Sequence, residues 1–279
     1  MSTQIDIKSK GQQYFHCYAT ANDKRHYFND IQNLMRIRHF YTGVEKVSLF
    51  IAISEANKIN FFDNLFVNTV NKIFQKNTLI RVEGIFFKPN IGRDFSSYQY
   101  LLQKVKRIAN EQDYILFQNR SAYGPFCNDW YKKFVTQFEK FDNIALCGST
   151  INFMDHPNRS LNNNLPHVQT FVILSKLYFM NLFKDGFPGA SESDRTNIIL
   201  NGEIGLSHFF LNENYKITCI EWPELAISKN SKALVNTDIK NDVSENHAFY
   251  HRRYFKKNKT NRIIWRYYFY FLFKCIGQY

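Results

Sequence analysis

Apolar residues in this chain recur in two alternating rhythms. Short unbroken runs, rich in β-branched and aromatic residues, fall at 14–20 (YFHCYAT), 46–54 (KVSLFIAIS), 79–84 (LIRVEG), 113–119 (DYILFQN), 143–149 (NIALCGS), 167–174 (HVQTFVIL) and 215–221 (YKITCIE). Each has the length of a strand, and 46–54 has the continuous character of one buried on both faces. Between these runs, apolar positions return at helical spacing over 29–41, 59–74, 95–109, 128–140, 175–183 and 198–212. A glycine-bearing loop fills 184–194. Strands alternating with helices, without an internal repeat, predict an α/β fold with a mostly parallel sheet flanked by helices. In such sheets ligands bind beyond the carboxyl ends of the strands, so the turns that leave those ends are the places to look.

Two such turns are unusual. The segment KPNIGRDFSSYQYLL (88–102) sets Asn90, Gly92, Arg93 and Asp94 at the mouth of a helix. Gly92 suits a tight strand-to-helix turn that needs positive φ. Asp94 has two readings: an N-cap accepting from free backbone N–H groups, or a carboxylate presented to a ligand. The second segment, QNRSAYGPF (118–126), follows the strand at 113–119 and carries Asn119, Arg120, Ser121, Tyr123 and Gly124. Two unusual loops on the same sheet edge favour a site over two unrelated turns.

Composition narrows the class. The chain has 279 residues, enough for one large core, and its 28 Phe and 17 Tyr predict aromatic packing. Five cysteines without a C-x-x-C pair argue against a disulfide framework or a structural zinc site, and fit a reducing compartment. The N-terminus has no signal-peptide core, so a cytoplasmic protein is expected. The net charge of +12 is concentrated: residues 246–279 hold eight basic side chains and no Asp or Glu, leaving +4 on the preceding 245. That distribution argues against a nucleic-acid-binding surface on the main body.

The order NIGRDFSSY, ILFQNRSAYGPF, a following Trp, GST and HVQTFVIL resembles a bacterial group of glycosyltransferases. These are the rhamnan-synthesis F-like proteins and related O-antigen and capsule enzymes, including galactofuranosyltransferase-like domains. The resemblance spans about 14–222. It implies a GT-A-like, Rossmann-type domain over 1–245, with a nucleotide-binding part at about 14–150 and an acceptor part at about 151–245. It implies transfer of a sugar from a UDP- or dTDP-sugar, UDP-galactofuranose among them, to a glycan or lipid-linked glycan of the bacterial surface.

On this reading Asn90, Gly92, Arg93, Asp94, Asn119, Arg120, Ser121, Tyr123 and Gly124 contact the nucleotide sugar. The family's N-D-S triplet is here Asn119–Arg120–Ser121, a base in place of an acid. Many GT-A enzymes hold a divalent cation with a D-x-D at this strand end, and hard cations need carboxylate oxygens. No two Asp residues here are spaced by one, so no metal site is assigned and a Mn or Mg cofactor is disfavoured. Arg120 would then meet the diphosphate directly, or be a surface arginine.

Glycosyl transfer also needs a base to deprotonate the acceptor hydroxyl. Inverting enzymes of this type commonly supply a carboxylate at a helix start beside the cleft, and Glu203, after Asn201–Gly202, sits at such a place. Asp155 and Glu192 are its rivals. With His167 and Gln169, which alternate along a predicted strand and so face one side, they form the candidate acceptor or sugar contacts.

The segment 256–279 mixes basic residues with Trp, Tyr and Phe, and is too short and charged to span a bilayer. It reads as a peripheral anchor on an anionic membrane surface. The expectation is an inverting glycosyltransferase at the inner face of the cell membrane. The alternatives are a non-catalytic carbohydrate- or nucleotide-binding module of the same fold and, further off, a nucleic-acid-binding protein.

Overall fold

The computed structural model describes residues 11–153, 165–231 and 247–252. Its centre is an eight-stranded sheet. The first half is built from β1 (Tyr14–Ala21), α1 (Lys24–His39), β2 (Val47–Glu55), α2 (Phe61–Phe74), β3 (Ile80–Pro89), α3 (Arg93–Val105) and β4 (Tyr114–Asn119). After a short β5 (Ala122–Tyr123) come α4 (Trp130–Glu139), β6 (Ile144–Gly148), β7 (Ile151–Asn152), β8 (His167–Val168), β9 (Val172–Lys176) and α5 (Leu177–Met180). A short helix α6 (Arg195–Asn197) runs into a π-helix (Ile198–Ile204) and then α7 (Gly205–Asn212), followed by β10 (Lys216–Cys219), β11 (Ala226–Ile227) and β12 (Tyr250–His251).

The main sheet has the order β11-β10-β6-β9-β4-β1-β2-β3. β3, β2, β1, β4, β6 and β10 run in one direction; β9 and β11 oppose them. The alternation along β1 assigns its two faces. Tyr18 reaches α1 through Asp30 and His16 lies against Trp130 of α4, whereas Cys17 is close to Tyr98 of α3. With helices on both faces, residues 15–19 of β1 and 115–117 of β4 are fully buried, which is why these strands read as unbroken apolar runs.

The sequence expectations differ from the structure at three informative places. β3 runs on past Gly84 to Pro89, because β2 continues beside it to Glu55 after a register shift at Leu49/Phe50. The predicted strand at 167–174 is two strands: β8 pairs with β7 in a separate ribbon, the chain turns at Gln169–Thr170, and β9 enters the main sheet antiparallel between β4 and β6. The helical pattern at 198–212 includes a π-helical stretch over Ile198–Ile204. Among the described residues no helix is long and apolar enough to cross a membrane.

Candidate functional site

The first unusual turn leaves β3 at its carboxyl end. Gly92 adopts φ 64°, and a Cβ there would lie 1.9 Å from the carbonyl oxygen of Ala190, so only glycine fits between the turn and the 184–194 loop. α3 begins at Arg93, itself at φ 48°, with no side-chain cap. The capping reading of Asp94 therefore fails. Its carboxylate instead leaves the helix and accepts from Asn119 Nδ2 at 2.8 Å, joining the start of α3 to the end of β4. Burial pushes the Asp94 carboxyl above its ordinary range, against the opposing pull of Arg120, Arg93, the Asn119 N–H and Arg252.

Lys88, two residues before Asn90, is buried and donates to Ser54 Oγ at 3.3 Å and to the carbonyls of Pro89 (2.6 Å) and Ile91 (3.4 Å). It staples the turn from below. Burial lowers its pKa, and Asp94 opposes that shift. Asn90 is exposed at the turn's outer rim.

Arg120 does not reach outward as the sequence suggests. Its Nη2 donates to Asp30 Oδ2 at 2.9 Å and to the Ala21 carbonyl at 3.1 Å. Asp30 is fully buried on α1, and its other oxygen accepts from the Tyr18 hydroxyl at 2.8 Å. Burial pulls the Arg120 guanidinium down, but the Asp30 carboxylate outweighs it and the net shift is upward. The pair lies under the sheet edge, with Arg120 Nε buried without a hydrogen-bond partner among the described residues and the guanidinium also acting on Asp94. A buried pair of this kind specifies geometry more than it stabilises, but losing either partner leaves an expensive buried charge.

Ser121, Tyr123 and Gly124 lie beneath the chain's C-terminal return. β12 pairs antiparallel with β5, setting Tyr250 opposite Tyr123 and His251 opposite Ala122. Arg252 N donates to the Ser121 carbonyl at 2.8 Å, and Ser121 N donates to Asn119 Oδ1 at 2.8 Å. Phe126 N donates to the Ala248 carbonyl, and Phe249 is buried against Trp130 and Phe134. Residues 247–252 thus rejoin the body. The segment 256–279 lies outside the described residues.

Glu203 lies in the π-helix, partly buried. The preceding Gly202 lets the Phe95 ring of α3 approach, since a Cβ there would sit 2.7 Å from it. Tyr98, one turn further along α3, has its pKa raised by burial, then by Asp94, with Glu203 among the further causes. Asp94 and Glu203 therefore act on one buried tyrosine, whose hydroxyl donates to the Thr170 carbonyl at 3.0 Å. Glu192 is occupied otherwise: it accepts from Asn201 Nδ2 at 2.8 Å and braces the residue two before Glu203.

His167 is buried on β8 with its Nδ1 2.6 Å from the Leu165 carbonyl, and Gln169 follows in the turn with its N–H on the Thr150 carbonyl. The expectation that both face one side of a single strand is corrected, because the strand ends at Val168. Asp155 lies outside the described residues. Among those residues no group of three His, Cys, Asp or Glu side chains is arranged to hold a metal ion.

The structure thus gathers Arg93, Asp94, Asn119, Ser121 and Arg252 at one carboxyl edge, with Glu203 across α3. The residues that sequence reading missed are Lys88, Asp30, Tyr18 and Arg252. Lys88 opens the segment 88–102, and its signal is a lysine at the end of a strand whose apolar run continues past Gly84.

No family model matches the chain, and no curated protein matches it. Among solved structures it is similar to a 4-diphosphocytidyl-2C-methyl-D-erythritol synthase, at 10% identity over 81% of this chain and 93% of that one, with TM-score 0.41. It is similar to the galactosyltransferase LgtC in complex with donor and acceptor sugar analogues, at 11% identity over 67% and 69%, TM-score 0.37. It is also similar to residues 1–349 of S. aureus TarS in complex with UDP, at 13% identity over 75% and 57%, TM-score 0.43.

Proposed function

We propose that this chain is a glycosyltransferase that moves a sugar from a nucleotide sugar, a UDP- or dTDP-sugar with UDP-galactofuranose a candidate, to a growing lipid-linked polysaccharide of the bacterial surface. The observation that carries the reading is the Asp94–Asn119 bond, which holds a carboxylate between the mouth of α3 and the end of β4 beside Arg93. A carboxylate there suits ribose or sugar hydroxyls, and the neighbouring cations suit phosphates.

Glu203 serves as the base for the acceptor hydroxyl in an inverting displacement, and Glu192 holds its helix through Asn201. The donor's diphosphate charge is met by arginine rather than by a divalent cation. The basic, aromatic segment 256–279 keeps the enzyme at the inner membrane face, near its acceptor. A second reading, a binding module of the same fold that does not transfer, is favoured by the locking of Arg120 to Asp30 at the place where the family that the sequence resembles carries an acid.

A panel of nucleotide sugars, assayed for binding and for release of the nucleoside diphosphate with and without EDTA, tests both. Binding with turnover that survives EDTA supports the transferase, and binding without turnover supports the module. Binding of no nucleotide sugar removes both readings.

A further inference from the structure

Arg120 stands where the sequence places a cation for the donor diphosphate, yet its charge is already met by Asp30. Two exposed arginines differ. Arg93 and Arg252 are exposed, and neither forms an ion pair with a described residue. They come to the same carboxylate from opposite ends of the chain. Arg93 is the first residue of α3, directly before Asp94. Arg252 ends the return strand, and three successive bonds of 2.8 Å tie it to Asp94: Arg252 N to the Ser121 carbonyl, Ser121 N to Asn119 Oδ1, and Asn119 Nδ2 to Asp94 Oδ2. Arg120 pulls hardest on the Asp94 carboxyl and Arg93 and Arg252 pull with it, so the charges of both exposed arginines are felt at this spot.

We infer that Arg93 and Arg252 together form a clamp for a diphosphate diester, with Arg252 delivered to the site by the pairing of β12 with β5. This rests on the nucleotide-sugar reading above and names the groups that carry its charge. A diphosphate diester bears two negative charges, and two guanidinium forks without an ion pair among the described residues match them in number. Arg120 is a positioning residue: its bond to Asp30 fixes the end of β4, from which Asn119 and Ser121 hold the two sides of the clamp together. The strand β12 would then complete the donor site as well as close the sheet edge.

Replacing Arg252 by Ala preserves the backbone N–H that pairs with Ser121, so the return strand keeps its anchor. Isothermal titration with UDP and with inorganic pyrophosphate, in EDTA, reads the clamp directly. Arg252→Ala and Arg93→Ala are each expected to weaken both ligands about ten- to hundredfold. Each should also flatten the salt dependence of binding. Arg38→Ala, which removes an exposed arginine from the far end of α1, should leave both affinities unchanged. If wild type binds UDP in EDTA and Arg252→Ala binds it equally well, the clamp is overturned while the nucleotide-sugar reading stands. If wild-type binding disappears in EDTA and returns with Mn²⁺, a metal carries the charge and the clamp is likewise overturned. If wild type binds neither UDP nor any nucleotide sugar under either condition, the functional reading falls and the clamp with it.

Discussion

Replacing Asp94 by Asn separates what this side chain does for the fold from what it does for a ligand. The amide oxygen of Asn can still accept from Asn119 Nδ2, and the helix loses no cap because Asp94 is not one. Burial raises the Asp94 pKa, so folding favours its neutral form. That contribution is fully present below the unfolded pKa and is lost as pH rises through the folded one. A permanently neutral Asn should therefore cost less than about 1 kcal/mol of stability at pH 7, one ordinary hydrogen bond at most. Ligand binding should respond differently. A charge-assisted bond to a ribose or sugar hydroxyl is worth about 1.5–3 kcal/mol, which is a roughly ten- to hundredfold loss in affinity. Removing a negative charge beside the phosphates acts the other way, by at most about 1 kcal/mol for partly exposed groups. Pyrophosphate, which has no hydroxyls, should thus bind the variant as well as wild type or slightly better, while the UDP-sugar binds much worse. Calorimetry with the two ligands and a thermal melt give all three quantities. In wild type, UDP-sugar affinity should fall as pH drops through the raised Asp94 pKa, and the variant should lack that limb. A variant that melts like wild type and binds the UDP-sugar with unchanged affinity would refute the assignment.

Three further outcomes follow from the same structure. His16 is fully buried against Gln118 and its pKa is lowered to about 3 by burial, so between pH 6.5 and 3 the unfolded chain binds a proton that the folded chain does not. Stability should fall with pH across that window by up to about 1.4 kcal/mol per unit; denaturant titrations of His16→Leu should show a shallower slope, with a cost of about 1–3 kcal/mol at pH 7 from the unpaired Gln118 oxygen. Gly92→Ala must displace the Ala190 carbonyl at positive φ, and should cost about 2–4 kcal/mol, seen as a fall in Tm of roughly 5–10 °C. Glu203→Gln should leave UDP binding intact and nearly abolish sugar transfer, because the amide cannot take the hydroxyl proton; deletion of 256–279 should do the reverse of a catalytic lesion, releasing the protein from anionic liposomes while sparing transfer to a short soluble acceptor.

The sheet was legible because its strands are buried on both faces and so leave continuous apolar runs. β4, β6 and β10 fall within their expected segments, and β1 and β2 run one residue past theirs. What escaped was set by partners distant in sequence. The turn in HVQTFVIL falls on Gln169–Thr170, a polar pair that one alternating strand could also carry, so the break shows only where β9 inserts between β4 and β6. Two-residue strands such as β5 and β12 have no period to read, and they form only because residues 247–252 return to the β4 end. Within the site, the loops at 88–94 and 119–124 were legible as anomalies of turn chemistry. The destination of each charge was not. Asp94 looked like a cap because a carboxylate at a helix start usually is one, and Arg120 looked like a free cation because Asp30, ninety residues earlier, carries no local sign of being its partner.

That pairing gives the site its charge logic. An acid at position 120 would have faced the Asp30 carboxylate, and two buried carboxylates side by side cannot both stay ionised. A base there is compatible with Asp30, and Asp30 in turn is held by Tyr18 from the fully buried face of β1. The basic residue at the strand end is thus tied to the core of the first strand rather than to solvent. Replacing it alone by Asp should not create a metal site: it would strand Asp30 without its counter-ion at a cost of about 3–5 kcal/mol. Only a double change, Arg120→Asp with Asp30→Asn, removes that conflict while leaving an oxygen for Tyr18. A fold that tolerates the double variant much better than the single one would show that positions 30 and 120 act as one unit, and that the exposed arginines rather than Arg120 remain to meet a ligand's charge.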